Sequence, residues 1–136
     1  MNISLKRGEK IFLNGAVIRV DRKVSIELMN DVCFLLENHI IQPDKANSPL
    51  KQLYVAIQTI LMTPRDSSKS LFVSLEMIRN FLLITKDKEI IDCLIEVKDH
   101  LEANKPFDAL KSLRFILLNN SDIANKYNYK LNSHNI

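Results

Sequence analysis

At 136 residues the chain has the length of one domain, enough to bury roughly two-thirds of its unfolded surface without metal or disulfide staples. Its 46% hydrophobic and 26% charged content exclude a disordered or fibrous class. The formal net charge of +3 is modest but unevenly placed: Lys6, Arg7, Lys10, Arg19, Arg22 and Lys23 face only Glu9, Asp21 and Glu27 in the first thirty residues, whereas bases and acids balance in the rest, an asymmetry that points to nucleic acid or an acidic partner.

In chain order, the opening forty residues read as β-structure. Asn14-Gly15 between two β-prone runs is a type I′ hairpin signal, because that turn needs positive φ at both central residues. It joins strands at residues 10–13 and 16–20. Gly8 turns a first strand at residues 3–5 into the second. Asp21-Arg22 then leads into residues 23–28, where Val24, Ile26 and Leu28 alternate with Lys23, Ser25 and Glu27 in the period of a half-buried strand. Residues 32–36 form a more buried strand, and Glu37-Asn38 turns toward a short one at Ile40-Ile41.

The period then changes to that of a helix. Ser48 caps and Pro49 occupies the first position of a helix that stops before Pro64, with Leu50, Leu53, Tyr54, Ile57, Ile60 and Leu61 on one stripe. Ser67 or Ser68 caps a second helix to about Ile84, with Leu71, Phe72, Leu75, Ile78 and Leu82 inward. Asp87 starts a third, whose face is Ile90, Ile91, Leu94, Ile95, Lys98 and Leu101. Lys105-Pro106 opens a fourth with Phe107, Leu110, Leu113 and Leu117 aligned, and the short connection makes the last two an αα-hairpin. From residue 119 onward six asparagines leave little to bury, so the segment reads as a flexible tail carrying Tyr127 and Tyr129. The expected class is therefore α+β: a small antiparallel N-terminal sheet of four or five strands (residues 1–45), about four helices (residues 46–118), and the tail (residues 119–136).

Enzyme signatures are missing from the sequence. His39, His100 and His134 are scattered, and there is no zinc-protease, Cys-x-x-Cys or Gly-rich phosphate motif; no catalytic residue, metal ligand or cofactor is expected. The row Glu89, Asp92, Glu96 and Asp99 reads as a solvated helix face. Cys33 and Cys93 lie in apolar runs and read as buried thiols of a reducing compartment. With no signal-peptide core and no span-length apolar run, a cytoplasmic location away from membranes is the expectation. The six N-terminal bases are the candidate RNA-binding set, by phosphate contacts alone, since Phe12 and Phe34 are the only aromatics nearby and read as core. A solvated edge whose lysines prevent aggregation is the alternative reading of the same residues. Whether the six converge depends on strand order.

Three segments also resemble a known family. Lys6, Gly8, Glu9, Asn14, Gly15, Ala16, Val17 and Ile18 match the opening of the FlbT family of flagellum biosynthesis regulators. Leu53-Tyr54-Val55-Ala56-Ile57-Gln58 resembles its Leu-Tyr-x-Ala-x-Gln segment, and Ala109-Leu110-Lys111-Ser112-Leu113-Arg114 its Ala-Leu-Lys-x-Leu-Arg segment. Lys51-Gln52 stands where the family often has paired arginines, and the arginine it tends to place near Leu36-Glu37 is missing. The resemblance implies a noncatalytic post-transcriptional regulator that binds the 5′ untranslated region of flagellin mRNA and controls its translation or decay. The amphipathic helices offer a second reading, a groove for a partner helix that makes the chain an adaptor for flagellin or for the FlaF-type companion the resemblance brings to mind, with Tyr54, Gln58, Lys111 and Arg114 as candidate contacts; a core tyrosine and a basic solvent face are the favoured reading of the same residues. A homodimer would give the small sheet more apolar surface to share.

Overall fold

The computed structural model describes residues 2–119. Five strands, β1 (Asn2–Leu5), β2 (Lys10–Leu13), β3 (Ala16–Arg19), β4 (Val24–Glu27) and β5 (Phe34–Leu36), precede four helices, α1 (Pro49–Met62), α2 (Ser67–Ile84), α3 (Lys88–Glu102) and α4 (Pro106–Asn119). This is the expected α+β arrangement. The asparagine-rich segment beyond residue 119 lies outside the described residues.

The strands do not form one sheet. β1 pairs antiparallel with β4, and β3, β2 and β5 form a second antiparallel sheet in that order. Gly8 therefore does not pair β1 with β2. In both ladders the partners' numbers add to 29, as in Asn2 with Glu27, Leu5 with Val24, Lys10 with Arg19 and Leu13 with Ala16. Residues 2–27 are thus one long hairpin in a single register, interrupted midway. Its tip is the predicted turn, with Asn14 at φ 51° and Gly15 at φ 89°. A Cβ on Gly15 would meet the ring of Pro64 at 3.1 Å, so the tip also sits against the α1–α2 connection.

The interruption lets the hairpin fold over itself. Ile3, Leu5 and Ile11 meet in a small core with Val24, Ile26, Leu28, Phe34 and Leu36 around them. On the opposite face of the three-stranded sheet, Leu35 and Phe12 join the main core of the helices. Because successive residues of a strand point to opposite faces, β2 and β5 serve two cores at once. The two-stranded sheet, the three-stranded sheet and the helices are stacked layers.

Local signals set the helix starts. Ser48 Oγ accepts from the Lys51 N–H at 3.4 Å, and Asp87 accepts from the N–H groups of Glu89 and Ile90. Ser67 and Ser68 do not cap α2; a 3-10 turn, Pro64–Asp66, leads into it. The expected strand at Ile40-Ile41 is instead an extended segment after the 3-10 turn Glu37–His39. Two helix faces are rotated from expectation. α3 buries Ile90, Cys93, Leu94, Val97 and Leu101 while Ile95 is exposed, and α2 buries Ser74, Ile78 and Phe81 while Phe72 is exposed. Cysteine and serine complete those stripes, and both are easily passed over when only large apolar residues are counted.

Candidate nucleic-acid interface

The six N-terminal bases all lie where the long hairpin is creased. Lys10 and Arg19 are direct cross-strand partners. Lys6 and Lys23 lie just beyond the β1–β4 ladder, and Arg7 and Arg22 lie in the turn and the bend that interrupt the hairpin. All six are exposed.

Backbone chemistry makes the crease. Gly8 at φ 83° allows a tight turn in which the Glu9 N–H donates to the Lys6 carbonyl at 3.0 Å. The Glu9 carboxylate returns the favour, accepting from the Lys6 N–H at 2.6 Å. Across the hairpin the Gly8 N–H donates to the Val20 carbonyl at 2.8 Å, and the Val20 N–H to the Glu9 carbonyl at 3.2 Å. The apolar side chains of both arms fill the inside of this fold; Lys6, Lys10, Arg19 and Lys23 stand at positions that alternate with them, whereas Arg7 and Arg22 lie in the turn and the bend.

Acidic groups barely neutralise it. Asp21 and Arg22 form an ion pair at 3.3 Å, with both side chains mostly exposed. Glu9 and Glu37 use their carboxylates on the N–H groups of Lys6 and Lys10. Among the described residues Lys6, Arg7, Lys10, Arg19 and Lys23 have no ion-pair partner within 4 Å, and no acid of the helical half reaches the crease. Like charges directly opposite one another on a hairpin are unfavourable. Arg7, Gly8, Arg19, Val20 and Asp21 line a shallow depression of about 340 Å³.

Among the described residues no aromatic stacking platform accompanies the bases. Phe12 packs toward the helical core, and the Phe34 ring lies 5.5 Å from that of Phe107. The crease offers phosphate contacts, which carry affinity but little sequence information.

The four candidate partner contacts are placed otherwise. Tyr54 is fully buried; its hydroxyl donates to the His39 carbonyl at 2.7 Å and accepts from Arg114 Nε at 3.1 Å. Burial raises the phenol's pKa, and Arg114 opposes that shift. Gln58 is also buried and grips the backbone of Ile41 with two 2.9 Å hydrogen bonds, donating to its carbonyl and accepting from its N–H. Tyr54 and Gln58 thus fasten the 39–41 segment to α1. Arg114 is half-buried, and its Nη2 has no hydrogen-bond acceptor among the described residues. Lys111 is exposed, with its ammonium 5.5 Å from the centre of the Phe107 ring.

Sequence reasoning missed the His39, Tyr54 and Arg114 cluster, because its members are far apart in the chain. His39 is not a plain surface group: burial, with Arg114 adding to it, pushes the imidazole down to about 4. Cys33 is exposed, contrary to expectation, because the loop before β5 leaves the core. Cys93 is buried, and desolvation with Glu96 nearby pushes its thiol up to about 12. Among the described residues no group of three or more His, Cys, Asp or Glu side chains is placed to hold a metal ion. No described helix is long and apolar enough to cross a membrane.

Comparison with known proteins gives a consistent family picture. A family described as "Flagellar protein FlbT" matches residues 1–123. A protein of Allorhizobium ampelinum named "Probable flagellum biosynthesis repressor protein FlbT" is 45% identical over 130 residues, 91% of this chain and 87% of its own. Proteins of the same name from Rhizobium etli (43% over 127 residues, 93% of this chain and 85% of theirs) and Brucella abortus (43% over 114 residues, 84% and 75%) are similar. No solved structure matches.

Proposed function

The chain belongs to the FlbT family of flagellar proteins, and from that membership we propose a noncatalytic post-transcriptional regulator that binds the 5′ untranslated region of flagellin mRNA through its creased hairpin. A regulatory role in flagellum biosynthesis follows from the relatives, which are named as repressors of it. The observation that carries the RNA reading is that all six bases are exposed on one creased hairpin, with Lys10 and Arg19 direct cross-strand partners, and five of the six have no ion-pair partner among the described residues. A hairpin that keeps six bases in contact with water, two of them directly opposite each other, is relieved when a polyanion lies across it. The bound protein would then change ribosome access to the message or its exposure to nucleases.

The test is fluorescence anisotropy with a flagellin leader RNA over a series of salt concentrations. With all six bases on phosphates the slope of log K against log salt is at most about −4, from roughly −0.7 per contact. Replacing Lys6, Arg7, Lys10, Arg19 and Lys23 by Ala brings the slope to about −1 while far-UV circular dichroism stays native. An unchanged slope and affinity in that variant would overturn the assignment.

A second reading has its own support. Phe72, Leu83 and Ile84 on α2 are 67%, 77% and 75% exposed, and Phe72 and Leu83, eleven residues apart, fall on one side of the helix. An adaptor role toward flagellin or a FlaF-type protein would use such a face. Co-purification with flagellin, lost on Leu83→Asp and kept in the crease variant, is its signature.

A further inference from the structure

β3 is one of the two outer strands of the three-stranded sheet, and it differs from the other strands in that all four of its residues are exposed. Val17 is 59% and Ile18 40% exposed. Natural edge strands are usually protected by proline, a bulge, inward-pointing charge or a covering segment. Among the described residues Ala16–Arg19 has none of these. Its single charge, Arg19, stands at one end.

The hydrogen-bond phase of this edge follows from the hairpin. Because the Val20 N–H donates to the Glu9 carbonyl, Val20 and, two residues at a time, Ile18 and Ala16 turn their backbone groups toward β2. Val17 and Arg19 turn theirs outward, and neither has a backbone partner outside the ladder among the described residues. Four strong backbone groups at a regular spacing therefore form an open half-ladder.

We propose that β3 pairs antiparallel with β3 of a second copy of this chain, about a twofold axis passing between the two Ile18 residues. Only residues of like phase can face each other across an antiparallel pair. Centring on Ile18 sets Val17 opposite the other chain's Arg19, which engages all four outward groups of each strand edge. That register also sets apolar against basic side chains, so that the two Arg19 charges never face. Ile18 shares the face of Ile11, whose side chain is fully buried between the two sheets, so the Ile18 contact extends that small core across the axis. The two three-stranded sheets become one of six strands, an isologous contact of the strand-addition kind. Such pairing needs no RNA and goes beyond the reading of the crease.

The experiment is sedimentation equilibrium of nuclease-treated full chain, from low to high micromolar concentration. Wild type is expected to show a concentration-dependent monomer–dimer equilibrium. Val17→Pro deletes an outward N–H and leaves every β2–β3 bond, so it weakens dimerisation by roughly tenfold or more. Val17→Thr, which keeps the N–H, dimerises like wild type. A chain that is monomeric throughout, or a folded Val17→Pro variant that dimerises as wild type, overturns the proposal. Should Val17→Pro not fold, cysteine pairs decide. In a Cys33→Ser background, Ile18→Cys places two thiols about 4.5–5.5 Å apart between Cβ atoms and oxidises rapidly to a covalent dimer. Val17→Cys, which faces Arg19 instead of itself, does not. Equal rates for the two variants would overturn the register and with it the interface.

Discussion

Replacing Gln58 by Leu isolates what a buried amide does for this fold. Gln58 and Ile41 are 4% and 5% exposed, and two 2.9 Å hydrogen bonds join the amide to the N–H and the carbonyl of Ile41. The substitution keeps an apolar body of similar size but leaves both backbone groups of Ile41 without partner and largely without water. Each such orphan costs about 1–3 kcal/mol, so the loss is about 2–6 kcal/mol, a large part of the ~5–15 kcal/mol that holds a domain of this size together. Urea melts read the stability, and amide hydrogen exchange at Ile41 reads the local event. Exchange at Ile41 should accelerate more than at Leu94 in the helical core. RNA affinity per folded molecule should not move, because Gln58 is buried and spends its hydrogen bonds on Ile41, not on the bases. A loss below about 1 kcal/mol with Ile41 exchange unchanged would refute the idea that this amide, in place of a strand ladder, fastens the segment.

Two further predictions concern titration and thiol chemistry. His39 takes up its proton near 6.5 when unfolded and at about 4 in the fold, so between those values the unfolded chain binds more protons, and stability falls as the pH drops through that window and levels off below it. Full burial would make this worth about 3 kcal/mol, and the partial exposure of the ring reduces it to about 1–2 kcal/mol. Urea melts of wild type and His39→Gln at neutral pH and within the window check it; an equally steep acid loss in both would place the cause elsewhere. Cys33 should react with a thiol reagent at once under native conditions, whereas Cys93, buried with its thiol held at about 12, should react only on unfolding. Two thiols titrating at similar native rates would contradict the packing of α3 on α4.

Much of this molecule was legible before its structure, wherever the signal acted over a few residues. Asn14-Gly15 demanded positive φ twice, Ser48-Pro49 and Asp87 supplied caps, Pro106 opened a helix, and the partition of charge between the first thirty residues and the rest was plain arithmetic. Even the register was implicit, since a two-residue turn at Asn14-Gly15 sets Lys10 opposite Arg19. What the sequence could not convey was the crease. Whether β1 meets β2 or β4 depends on which apolar faces find each other, and the long hairpin folds over Ile3, Leu5 and Ile11 to make that choice. The inward turn of Tyr54 and Gln58 and the burial of His39 likewise come from contacts between distant segments, which no local pattern encodes. Backbone angles and caps are properties of short stretches of chain and are written there. Burial and pairing are properties of surfaces that exist only once those stretches are packed together.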